Sequence, residues 1–235
     1  MTIASAFLLT LIVIAALSLW AVGRHEHRAA MKMRAGLLDE AARTIPESVV
    51  AHGEDGFPVL SACLGDGGRW KAEIIADSLV TRRLPQLWLR VTLYEAEERP
   101  RPHIGILARP TGSEFYSMVQ DMPYRLDPPF LPVAPLMMRG RDVTPEEVTR
   151  LGAAFQALLS DPMLKEAAVT PRGVRIVCRL SEGGHGAHML FRQMRFPLRA
   201  VPREALARAL DDARFLGEAA NVRTTRKGCA RASGR

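Results

Sequence analysis

Residues 2–23, TIASAFLLTLIVIAALSLWAVG, carry no charge, and the RHEHRAAMKMR that follows holds four Lys or Arg against one Glu. At about 1.5 Å per residue, a helix over residues 3–22 reaches across a hydrocarbon layer of about 30 Å. Helices of soluble cores rarely stay apolar all round for so long. The run predicts a transmembrane anchor over 1–23. Lys and Arg beside a span are retained on the cytoplasmic side. Arg24, Arg28, Lys32 and Arg34 therefore predict an N-terminus outside and a main domain in the cytoplasm, as in a bacterial inner membrane. Trp20 sits where an interfacial aromatic would. The competing reading is a cleaved signal peptide, because Ala21-Val22-Gly23 offers small residues at a cleavage site. Against it stand an apolar run longer than such peptides use, the lack of a basic region before it, and the basic cluster after it.

The formal net charge of +7 invites a nucleic-acid partner. Its distribution argues otherwise. The flank 24–34 and the tail 223–235, with five Lys or Arg and no acid, hold the excess, so residues 35–222 are close to neutral. Nucleic-acid binding needs a coherent basic field with stacking aromatics, and only 6% of the chain is aromatic. The basic ends fit anionic lipid headgroups, or, for the tail, a disordered solvated terminus. Cys63, Cys178 and Cys229 show no pairing or metal spacing; the first two lie in apolar runs and read as small core residues, the third as exposed.

After the anchor, one domain with a real core is the natural reading. Residues 24–45 lack Pro and repeat apolar residues at helical steps, so the anchor continues as a juxtamembrane amphipathic helix until Pro46 stops it. The domain then spans 46–222, with 223–235 as a basic disordered tail. FPVLSACL and RWKAEIIAD, joined across Asp66-Gly67-Gly68, form a hairpin. QLWLRVTLYEA alternates Leu87, Leu89, Val91 and Leu93 against Trp88, Arg90, Thr92 and Tyr94, and a fourth strand follows over 103–108 as part of a meander. Five prolines in PYRLDPPFLPVAP exclude helix interior and central strand, leaving an arm that packs across its own domain or docks elsewhere as a polyproline helix. Thr144-Pro145-Glu146-Glu147 is a capping box opening a helix to about 159. VRIVCRL and HMLFRQMRF read as a second hairpin, and a last helix runs from Pro202 to about Ala220. The expected fold is α+β: one transmembrane helix, then a mainly antiparallel sheet of about six strands with two or three helices.

No short catalytic signature is present: no G-x-x-x-x-G-K-[ST], G-x-S-x-G, H-E-x-x-H or G-x-G-x-x-G after a strand. Neither His25 and His27, on different sides of a helix, nor His185 and His188, in a glycine-rich turn, find partners for a metal. The sequence therefore assigns no catalytic residue, cofactor or metal. Two groups are candidates for binding. Arg175 and Arg179 on one strand, with Arg192 and Arg195 on the next, could make a patch for an anion or an acidic partner, unless nearby acids neutralise them. Ser113, Glu114 and Tyr116 form the densest polar and aromatic group outside the turns, a candidate ligand loop or a loop that merely caps the sheet. Small residues in the span (Ala4, Ser5, Ala6, Ala15, Ala16, Ser18) allow close approach of a partner helix. The functional expectation is a membrane-anchored interaction or scaffold protein, an accessory subunit whose partners are the bilayer and a membrane protein. The alternatives are a tethered enzyme or small-ligand-binding domain, and an exported protein.

Overall fold

The computed structural model describes residues 3–65, 67–77, 84–184 and 196–221. Helix α1 (Ile3–Ala35) covers the apolar run and its basic flank without a break, and α2 (Asp39–Thr44) follows. Then come β1 (Val49–His52), β2 (Pro58–Cys63), β3 (Arg69–Asp77), β4 (Gln86–Tyr94), β5 (His103–Ala108), β6 (Tyr124–Leu126) and β7 (Leu136–Arg141). Helix α3 (Pro145–Leu158), β8 (Leu164–Thr170), β9 (Gly173–Glu182) and α4 (Arg203–Asn221) complete the fold. It is α+β, with one long N-terminal apolar helix and a single sheet whose pairs are all antiparallel. The strand order is β1-β2-β3-β4-β9-β8-β5-β7-β6. Nine strands stand where about six were expected.

The sheet departs from a simple meander. The meander stops at β4, because the β8–β9 hairpin inserts between β4 and β5. Strand β9 (GVRIVCRLSE), expected to form a hairpin with HMLFRQMRF, pairs with β4 along one edge and, as far as Cys178, with β8 along the other. That second strand, with Arg192, Arg195, His185 and His188, lies outside the described residues, as does the tail with Cys229. Strand β8, LKEAAVT, has the composition of a helix, and its neighbours override that preference: it is buried along nearly its whole length.

The juxtamembrane helix does not run unbroken to residue 45. It tightens at 36–38, where the Leu37 and Asp39 amides donate to the Arg34 and Gly36 carbonyls. The turn drives Leu37 and Leu38 into the domain's main core, where Ala41 joins them. A backbone bond from the Val201 amide to the Leu37 carbonyl, 2.8 Å, ties the same turn to the segment before α4. The stalk is thus part of the domain rather than a tether to it.

On one face of the sheet, Leu60, Trp70, Ile74, Leu89, Ile106 and Ile176 pack beneath α3 and α4. Helix α4 brings Leu206, Ala209, Leu210, Ala213 and Leu216, the stripe its sequence spacing announces. Helix α3 opens on the expected capping box: Thr144 Oγ1 accepts from the Glu147 amide and Glu147 returns a bond from the Thr144 amide. The proline arm is half committed. Pro129 sits against Gly152 of α3 and Phe130 packs on the core, while Leu131 and Val133 stand exposed. Cys178 is a core residue as expected, its thiol pushed up to about 12 by burial. Cys63 is not: the alternation that turns Leu60 and Ala62 inward leaves it exposed at the end of β2.

Gly173 closes the β8–β9 turn at φ +154°, and a Cβ there would run into the Leu93 carbonyl of β4. Gly173→Ala should therefore destabilise the domain by about 1–3 kcal/mol, read as a lower urea midpoint of the full chain in detergent. An unchanged midpoint would mean that β4 and the turn separate freely.

Candidate functional site

The second face of the sheet carries the polar chemistry. Successive side chains alternate between faces, so the residues opposite the Leu89 and Ile176 face come together across strands. The pairing aligns Glu73, Arg90, Val177 and Glu166 in one row, and Lys71, Thr92, Arg175 and Ala168 in the next. Glu73 is the hub at the open end. It takes Arg90 Nε at 2.8 Å and Lys71 Nζ at 2.7 Å. Partial burial works against its charge, but these two cations outweigh it and hold the carboxyl below the usual range.

The segment between β5 and β6 folds back over this face, and Glu114 fastens it. The Glu114 carboxylate accepts from Lys165 Nζ (2.8 Å), the Thr111 amide and hydroxyl (both 2.7 Å), the Gly112 amide (2.9 Å) and Gln120 Nε2 (2.7 Å). Lys165 Nζ also donates to the Ala108 and Arg109 carbonyls and lies 5.9 Å from the centre of the Trp88 ring. Both side chains are almost wholly buried. Burial alone would raise the Glu114 pKa; the Lys165 and Thr111 hydrogen bonds reverse that and bring it down to about 2. Tyr116 follows, packed on Trp88 with ring centres 5.8 Å apart, and Ser113 stays near the surface beside Thr111.

Glu166 is the opposite case. It is fully buried under Ser117, Met118 and Val119, and neither carboxylate oxygen accepts a well-formed hydrogen bond. Burial pushes its pKa up, against weaker pulls from the Ser117 hydroxyl, Arg175 and the Val119 and Met118 amides. Arg175 is itself half-buried between Arg90 and Glu166, and desolvation followed by the Arg90 charge lowers its pKa.

Of the four arginines proposed as an anion patch, Arg175 thus faces Glu166 and Glu73, and Arg179 lies on the same face, four residues along, against Met163 Sδ. Arg192 and Arg195 fall outside the described residues. Of the loop group, Glu114 is saturated, Tyr116 is buried, and Ser113 is left near the surface. Beside them an open groove of about 530 Å³ runs between Phe115 and Tyr116, Glu73 and Arg90, and the Gly53–Asp55 turn. Sequence reasoning missed Lys165, Glu166 and Trp88; a Lys-Glu pair inside an otherwise apolar strand run was the available signal. Among the described residues no group of three His, Cys, Asp or Glu is placed to hold a metal ion.

The other candidate region is the junction of α1 with the domain. The guanidinium of Arg24 stands 5.2 Å from the Trp20 ring centre, and Arg34 stands 5.3 Å from that of Phe57. Arg28 and Lys32 point to solvent on α1. Arg34 therefore docks the domain as well as completing the basic flank. Comparison with protein-family models, curated proteins and solved structures finds no match to this chain.

Lys165→Met should lower stability by about 3–5 kcal/mol, since it strands a buried carboxylate, and adding Glu114→Gln should restore part of the loss. Because the Glu114 pKa falls from 4.5 to about 2, its contribution is complete above about pH 4.5 and disappears as pH drops through 2. Urea titrations at several pH values should show this acid loss in the native chain and a flatter curve in Glu114→Gln. Glu166 has the reverse sign: its raised pKa makes folding less favourable as pH climbs above 4.5. Glu166→Gln should be more stable than the native chain at pH 7 by about 1–3 kcal/mol and should converge with it near pH 4.5; lower stability at pH 7 would show that Arg175 depends on that charge.

Proposed function

We propose that this chain is a single-pass membrane protein whose domain is an interaction or scaffold module held against the cytoplasmic face of its membrane, serving a larger membrane complex as an accessory subunit. The observation that carries the reading is the continuity of α1. Among the described residues one helix is long and apolar enough to cross a membrane, and the turn directly after it enters the domain core at Leu37 and Leu38 without a flexible linker. Along the apolar part, Phe7, Leu8, Leu11, Ile12, Ile14, Leu17, Leu19 and Val22 are each more than half exposed. Each such side chain gains about 1.5–3 kcal/mol on leaving water, so together they favour a lipid environment by on the order of 10 kcal/mol or more. The interfacial set then has a consistent order: Trp20 and Arg24 at the boundary, Arg28 and Lys32 about one and two helical turns beyond, able to meet anionic headgroups.

A domain without a linker cannot sample a large volume, so its gain in local concentration is confined to partners in the same membrane patch. That favours a membrane protein as partner. The small-ligand alternative rests on the groove beside Glu73, Arg90 and Tyr116; with Glu114 committed to Lys165, that groove offers an ion-paired carboxylate and aromatic edges.

The full tagged chain extracted in mild detergent should bring down a stoichiometric membrane protein. A lone monomer from native membranes would overturn the accessory-subunit reading. Topology has its own readout in Cys63, which is exposed, whereas Cys178 is half-buried on the core side with a raised pKa. A membrane-impermeant thiol reagent should leave intact cells unlabelled and label Cys63 after lysis; labelling of intact cells, or a mature chain that starts after Gly23, would favour the exported reading.

A further inference from the structure

Immediately beyond the apolar run, α1 and the domain line a half-open cavity of about 430 Å³. Ala29, Ala30 and Met33 form its helical wall, and Phe57, Leu87 and Leu198 its domain wall. His25, Glu26 and Arg34 are the polar groups on its lining. We propose that this cavity takes the end of one acyl chain of a phospholipid from the adjoining leaflet, a role that rests on the membrane reading above and adds a lipid ligand to it.

The first argument is continuity. Leu19, Val22, Glu26, Ala30 and Met33 follow one another at steps of three and four residues, so they lie on one face of the helix, and Leu37 in the turn after it joins them at the cavity. Leu19 and Val22 are exposed, and Met33 and Leu37 reach the cavity. The face that meets lipid is therefore the face that opens into the pocket. From Val22 to Ala29 the rise is about 10 Å, a short path for a chain that bends out of the leaflet along the helix.

The second argument is chemistry. The uncharged walls present methyl, thioether and aromatic groups, suited to an alkyl chain, and the volume is that of a small-ligand site. A partner helix would instead need a flat, small-residue surface on which backbones approach closely. The polar side chains nearest the span, His25 and Glu26, fit the headgroup end. His25 lies about 3–5 Å along the helix from Val22 and Gly23, level with phosphates. Arg34, about 14 Å farther along the helix, lines the opposite end of the cavity, where its guanidinium stacks on the Phe57 ring and contacts Met31 Sδ at 3.9 Å. Glu26 has a partner of its own within the protein.

The test is photocrosslinking of the full chain in vesicles of phosphatidylethanolamine and phosphatidylglycerol in which part of the phosphatidylglycerol carries a diazirine at the methyl end of an acyl chain. In an ordinary leaflet that end lies near the bilayer centre and labels mid-span residues such as Leu11 and Ile14. The proposal expects those adducts and, in addition, adducts on Phe57, Leu87 or Leu198. Ala29→Trp, which fills the cavity from an exposed helical position, should abolish the domain adducts and spare the mid-span ones, while Cys178 stays unreactive to show that the domain is folded. Adducts confined to the span would overturn the lipid site and leave the anchor standing. No adducts anywhere would overturn both. Domain adducts unchanged in Ala29→Trp, or a protein crosslinked at Met33 in native membranes, would also count against it.

Discussion

The architecture depends on burying both faces of the central strands β4, β9 and β8. A sheet can leave one face in water, but here Leu89, Ile176 and Ala167 face helices on one side while Trp88, Val177 and Glu166 are covered on the other by the segment after β5. The first cover is apolar and follows from helical stripes. The second is fastened by Lys165 and Glu114. A buried ion pair gives little net stability, because the desolvation of two charges roughly cancels their attraction. Its value lies in selection: five bonds to one carboxylate leave a single way to lay the loop on the sheet.

That loop in turn defines the polar site. Once Tyr116 is set on Trp88, the groove beside Glu73 and Arg90 has a wall, and Glu166 has a roof. Two carboxylates a few residues from one loop are driven in opposite directions. Glu114 is surrounded by donors and stays charged; Glu166 has only distant or poorly aligned ones and is pushed toward the neutral form.

The stalk joins this domain to the apolar helix as one object. A flexible linker would let the sheet turn freely above a membrane, whereas Leu37, Leu38 and the Val201–Leu37 bond fix its base. The same docking creates the cavity, since an exposed helix face and an apolar domain edge meet without filling the space between them.

Elements governed by local chemistry were legible in the residues: the uncharged run, the capping box at Thr144, the α4 stripe, the hairpin of β2 and β3, and the alternation in β4. What depended on distant partners was not. LKEAAVT carries a helical composition and becomes a central strand because β9 and β5 satisfy its backbone on both sides. Arg175 gave a cationic signal by itself, and only strand register set Glu166 and Arg90 beside it. Glu114 was visible as a chemical group, but its role required Lys165, a residue 51 positions away. The sequence alone determined that a long apolar helix precedes a near-neutral α+β domain, because hydropathy and charge are sums over adjacent residues. Tertiary structure decided the strand order, the clasp and the cavity, because each exists only when segments far apart in the chain share one place.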